Sequence, residues 1–95
     1  MRLRRAENVR TESKPAIEGR EIVLREALTM PGVPAALDYF ENVDLPRLVD
    51  MAEQHTQVPD LFEAYNRACP PVALPNFLAA LAMLLAEGVL IHAKR

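Results

Sequence analysis

The chain has 95 residues, 51% of them hydrophobic, a net charge of -2 and a single cysteine. That is one small globular domain, and one thiol excludes both an intrachain disulfide framework and an all-cysteine zinc site. The acidic balance argues against a free-standing nucleic-acid binder, and no apolar run approaches the roughly 18 residues of a membrane span.

Charge divides the chain. Residues 1–20 hold six basic side chains (Arg2, Arg4, Arg5, Arg10, Lys14, Arg20) against three glutamates, whereas residues 21–95 hold five basic against ten acidic. Leu3, Val9 and Ile17 are too few to make a core, so residues 1–16 are expected to be a flexible basic arm, with 17–95 as the single folded domain. No apolar stretch follows the charged N-terminus, so no signal peptide is expected and the cytoplasm is the default address.

Residues 21–28 read equally as strand or helix, because a short apolar run does not declare its period. Thr29 to Gly32 form a turn signal. Pro34 suits the first turn of a helix through residue 41. Asp44 is placed to cap a helix over 45–54, with Pro46 in its first turn and Leu45, Leu48, Val49 and Ala52 on one face. Pro59 restarts the pattern, and Leu61, Ala64, Tyr65 and Ala68 mark a helix over 60–68. Cys69-Pro70-Pro71 stops it. A last helix runs from Pro75 to Glu87 and ends at Gly88, which is suited to the left-handed position after a helix. Val89 to Ile91 then read as a short strand.

The last helix stands apart. Every residue from Phe77 to Ala86 is apolar. A helix without a polar face is either wrapped on all sides or meets a partner. Ala79, Ala82 and Ala86 share a stripe at helical spacing, with Met83 beside it. These four are the candidate partner-binding residues.

The pattern Phe77-Leu78-x-x-Leu81-x-x-Leu84-x-x-x-Gly88-Val89-Leu90-Ile91 resembles the end of winged-helix domains, where a helix turns at glycine into a wing strand. The segment Phe40-Glu41-Asn42-Val43-Asp44-Leu45-x-x-Leu48-Val49 is similar to the junction between their first two helices. The likeness extends to small winged-helix modules that bind leader peptides for peptide-modifying enzymes, and to winged-helix tails of some methyltransferases and oxygenases. It departs from them in the helix at 60–68 and in having no second wing strand after the first. It implies a mainly α, winged-helix-like helical domain with a minor β component.

No catalytic constellation is legible. Cys69 reads as a small buried hydrophobe and His55 as a loop residue. Gly19, Gly32 and Gly88 make no phosphate loop, and neither a metal site nor a cofactor is expected. The expected function is a non-catalytic module that binds a protein or peptide, as an accessory subunit of a modifying enzyme or as a homodimer, away from membranes. If residues 21–28 form a strand, its edge could receive an extended peptide. The alternative is a DNA-binding regulator using Arg2, Arg4, Arg5 and Arg10 of the arm. Acidic Asp60 and Glu63 on one candidate reading helix, and the apolar surface of the other, oppose it.

Overall fold

Residues 21–28 are a strand, and the segment that settles this is the polar stretch before them. In a computed structural model describing residues 2–32 and 36–92, β2 (Arg10–Glu18) and β3 (Glu21–Thr29) pair antiparallel along their full length, from Arg10 opposite Thr29 to Glu18 opposite Glu21. Gly19 and Arg20 form the two-residue turn. Gly19 has φ 61°, a positive angle at the first central position that suits glycine and matches the twist of the flanking strands. Thr11, Ile17, Ile22, Val23 and Thr29 supply β-branched side chains to the ribbon.

The remaining strands are short. β1 (Leu3–Arg5) pairs antiparallel with β6 (Leu90–His92), so the beginning of the chain lies against its end. The first sixteen residues, expected to be a flexible arm, thus carry β1 and the first part of β2. β4 (Tyr39–Phe40) and β5 (Val43–Asp44) form a minimal hairpin around Glu41 and Asn42, both at positive φ (52° and 64°). Two successive left-handed residues are what a two-residue turn of this hand demands.

Three helices follow: α1 (Leu45–Ala52), α2 (Val58–Ala68) and α3 (Leu74–Ala86). They lie where the prolines and apolar spacing place them, within two residues at most ends. The Asp44 carboxylate caps α1 by accepting the Arg47 amide hydrogen at 3.2 Å. α3 ends before Gly88 (φ 77°), and the chain turns into β6.

Two expectations are corrected. The fold is mixed α/β rather than mainly α, with three helices and six strands among the described residues. The helix expected over 34–41 is replaced, where it is described, by an extended path: Leu37 bridges Leu28, and β4 follows. Its starting residue, Pro34, lies outside the described residues. The physical reason is the same in both cases. Strand conformation here is decided by pairing with another segment and not by a segment's own apolar spacing, so local periodicity does not display it.

The core collects one face of each helix with the inner ends of the strands. Leu28, Val43, Leu48, Val49, Phe77, Leu84, Val89 and Leu90 are almost wholly shielded from solvent. Phe77 sits at the centre, with the Phe62 ring 5.1 Å away edge-on and the Tyr65 ring at 5.8 Å. Tyr65 is buried, and its hydroxyl accepts the Asp44 amide hydrogen at 2.8 Å, tying α2 to the start of α1.

Candidate interaction surfaces

The largest departure from an ordinary surface is the distal half of the β2–β3 ribbon. Ile17, Ile22 and Leu24 are 78%, 77% and 75% exposed. Strand pairing places Ile17 opposite Ile22 and Pro15 opposite Leu24. Alternation then puts all four on one face of the ribbon. Three large side chains this exposed and this close together form a patch rather than scattered surface hydrophobes.

The two edges of the ribbon differ. Leu28 and Leu37 exchange backbone hydrogen bonds at 2.7 and 2.8 Å, so the Leu28 peptide groups point away from β2. Because outward and inward groups alternate along an antiparallel strand, those of Glu26, Leu24 and Ile22 point outward too. Among the described residues no backbone group accepts or donates to them. On β2 the same alternation makes Pro15 an outward residue, and proline has no N–H to offer. Thus β2 presents a blunted edge and β3 an open one.

Beside the open edge lies a cleft of about 200 Å³ lined by Leu24, Arg25, Glu26, Tyr39, Asp44 and Arg47. The Arg25 guanidinium lies over the Tyr39 ring at 5.2 Å from its centre and pairs with Glu18. Its Nε donates to Glu18 at 2.7 Å. Partial burial raises the Tyr39 phenol above its ordinary pKa, and the nearby Asp44 carboxylate adds to this. Tyr39 Oη also donates to Asp44 at 3.5 Å.

α3 is two-sided, which its sequence conceals. Phe77, Ala80, Leu81 and Leu84 are buried, whereas Ala79, Ala82 and Ala86 are exposed and Met83 is half-buried. The alanine stripe singled out from spacing therefore faces outward. Leu74 (46% exposed) and Leu78 (42%) stand at the start of the helix. Together with Val58, Pro59, Phe62 and Glu63 of α2 they line an open apolar cleft of about 480 Å³.

The four arginines proposed as a nucleic-acid arm do not form one free cluster. Arg5 pairs with Asp50 on α1 and donates to the Thr11 hydroxyl at 3.2 Å. Arg2 and Arg10 are exposed and Arg4 is half-buried on β1.

Cys69 is buried at the end of α2. Burial raises its thiol pKa, partly offset by the positive charge of Arg47. No helix among the described residues is long and apolar enough to cross a membrane. No group of three or more His, Cys, Asp or Glu side chains converges as a metal-holding set among those residues.

Sequence reasoning missed Ile17, Ile22 and Leu24 as surface residues. The one available signal was Gly19 at the first position of a two-residue turn, with β-branched Ile17 and Ile22 on either side of it. Comparison with protein-family models, curated proteins and solved structures finds no match for the chain.

Proposed function

We propose that this protein is a non-catalytic interaction module whose docking site is the open edge of β3, where an extended protein segment adds as a further strand. The observation that carries the reading is the outward-pointing backbone of Ile22, Leu24 and Glu26, unpaired by backbone among the described residues. Main-chain hydrogen bonds along such an edge supply affinity, and alternate side-chain positions supply selectivity. The exposed Ile22 and Leu24 favour an apolar residue at every second position of the incoming strand. The blunted β2 edge supports the choice of β3, because free edges are ordinarily protected against unwanted pairing.

The test is amide hydrogen exchange. Extended peptides selected from a random library on the intact protein should slow exchange at Ile22, Leu24 and Glu26. Peptides that instead protect the outer residues of α3, leaving the β3 edge unchanged, would overturn the reading. The outward Ala79, Ala82 and Ala86 favour a second surface for a partner helix, since small residues allow close backbone approach. The nucleic-acid alternative has less support, because Arg5 is already engaged by Asp50.

A further inference from the structure

The open edge is self-complementary. From the turn onward β3 reads Arg20-Glu21-Ile22-Val23-Leu24-Arg25-Glu26. Let two copies of this edge meet antiparallel with Val23 of one opposite Val23 of the other. Ile22 then faces Leu24, Glu21 faces Arg25, and Arg20 at the turn faces Glu26, each twice by symmetry. Every charge meets its opposite and every apolar residue meets an apolar one. Moving the symmetry axis to Leu24 sets Ile22 against Glu26 and Val23 against Arg25. Moving it to Arg25 sets two guanidinium groups face to face. The first alternative sets charged residues against apolar ones and the second sets like charges directly opposite, which is destabilising, so the Val23 axis is favoured over both.

The alternation of hydrogen bonds permits this register. Ile22 and Leu24 both point outward from β2, so the Ile22–Leu24 pairs of the two copies exchange backbone hydrogen bonds. The register also ends where the edge ends. Beyond Glu26, Leu28 is already bridged to Leu37, and the turn of the second copy arrives just before that point.

We propose that the partner of the β3 edge is a second copy of this chain, joined antiparallel about Val23 into a four-stranded sheet of order β2-β3-β3-β2. The proposal rests on the open-edge reading above and names its occupant. The distal half of the two-stranded ribbon is exposed on both faces, and an uncovered two-stranded hairpin is marginal in water, whereas a four-stranded sheet with a shared apolar face is less so. Within one copy Glu18 and Glu21 are directly opposed, with Arg25 reaching Glu18. In the pair each Glu21 gains the Arg25 of the other copy.

Sedimentation of the intact chain over a wide concentration range is the first measurement, with a monomer–dimer equilibrium expected. Arg25→Glu should weaken association by about tenfold or more, since it turns two attractive cross-strand pairs into repulsive ones. Glu21→Arg combined with Arg25→Glu should recover most of that loss. In a Cys69→Ala background, Val23→Cys should oxidise to a symmetric disulfide at least about tenfold faster than Leu24→Cys or Arg25→Cys, because directly opposed residues lie within disulfide reach. A monomer at every concentration, a dimer indifferent to Arg25→Glu, or fastest cross-linking at another position overturns the proposal. The charge-reversal arm does not depend on the cysteine variants folding. A monomer whose Ile22, Leu24 and Glu26 amides exchange freely rejects the second copy and leaves the open edge standing. A monomer in which they are protected removes both.

Discussion

The Tyr65 hydroxyl joins core to cap. It is buried with the ring, yet it accepts the Asp44 amide hydrogen, so a polar atom deep in the fold is satisfied and one N–H near the start of α1 is spoken for. Tyr65→Phe leaves that amide without its partner and should cost about 1–2 kcal/mol, read as a lowered urea midpoint with an unchanged slope. Asp44→Ala removes the cap on the Arg47 amide and should cost about 1 kcal/mol in the same assay. The Glu41-Asn42 turn is an imperfect choice for its geometry. Both residues are left-handed, and glutamate tolerates that poorly. Replacing the pair with Asn-Gly should raise stability by about 1 kcal/mol, seen as a higher thermal midpoint. Asp44 as cap was legible from its place before Pro46. The Tyr65–Asp44 contact was not, because the two residues come from different elements.

At the scale of elements, α3 shows what a uniformly apolar sequence hides. Periodicity needs contrast, and from Phe77 to Ala86 there is none. The sequence marked the helix and its alanine stripe, but contacts with the other elements alone decide which side is covered. Ala80 is wholly buried and Ala82 is exposed. Ala82→Glu should therefore change stability by no more than about 0.5 kcal/mol, as a surface substitution does. Ala80→Glu should unfold the domain, because an unpaired carboxylate would enter the core. Circular dichroism melts of the two variants separate these outcomes. The β2–β3 ribbon carries the complementary lesson. The sequence of β2, Arg-Thr-Glu-Ser-Lys-Pro-Ala-Ile-Glu, has almost no apolar alternation, since both faces of its outer part are wet. A strand with no buried face leaves no hydrophobic period to read. Without a legible partner strand, the short apolar run of β3 does not declare its period either.

Across the whole molecule, the beginning and end of the chain are mutually dependent. Leu3 is buried at 4% exposure, and β1 supplies the hydrogen-bonding partner of β6. Deleting residues 1–5 opens a core position and strips β6 of its neighbour. It should lower stability by about 2 kcal/mol or more by urea unfolding, whereas removal of a flexible arm would change nothing. The pH dependence of stability follows from Tyr65 and Cys69. Burial is the main cause raising both groups above their ordinary pKa values, so the folded state holds these protons more tightly than the unfolded chain does. Their contribution is complete below the ordinary thiol pKa of about 8.5 and is lost as pH rises from there through the folded-state values. The urea midpoint should accordingly fall on the alkaline side, and Cys69→Ala should move the onset of that fall to higher pH.

The amino-acid sequence determined the three helices, the proline and glycine positions that bound them, the cap at Asp44, and the short strand after Gly88. These are local properties: a fixed φ, a missing N–H, a carboxylate within reach of the first turn, an apolar residue every third or fourth position. Only the tertiary structure decided that Leu3–Arg5 and Arg10–Glu18 are strands, that β3 is paired on one edge and open on the other, and that α3 turns its alanines outward. Each of these depends on contacts between elements, which the residue spacing within one element does not display. The self-complementary charge order of β3 was in the sequence from the start, but it acquired meaning only once β3 was seen to be a strand with a free edge.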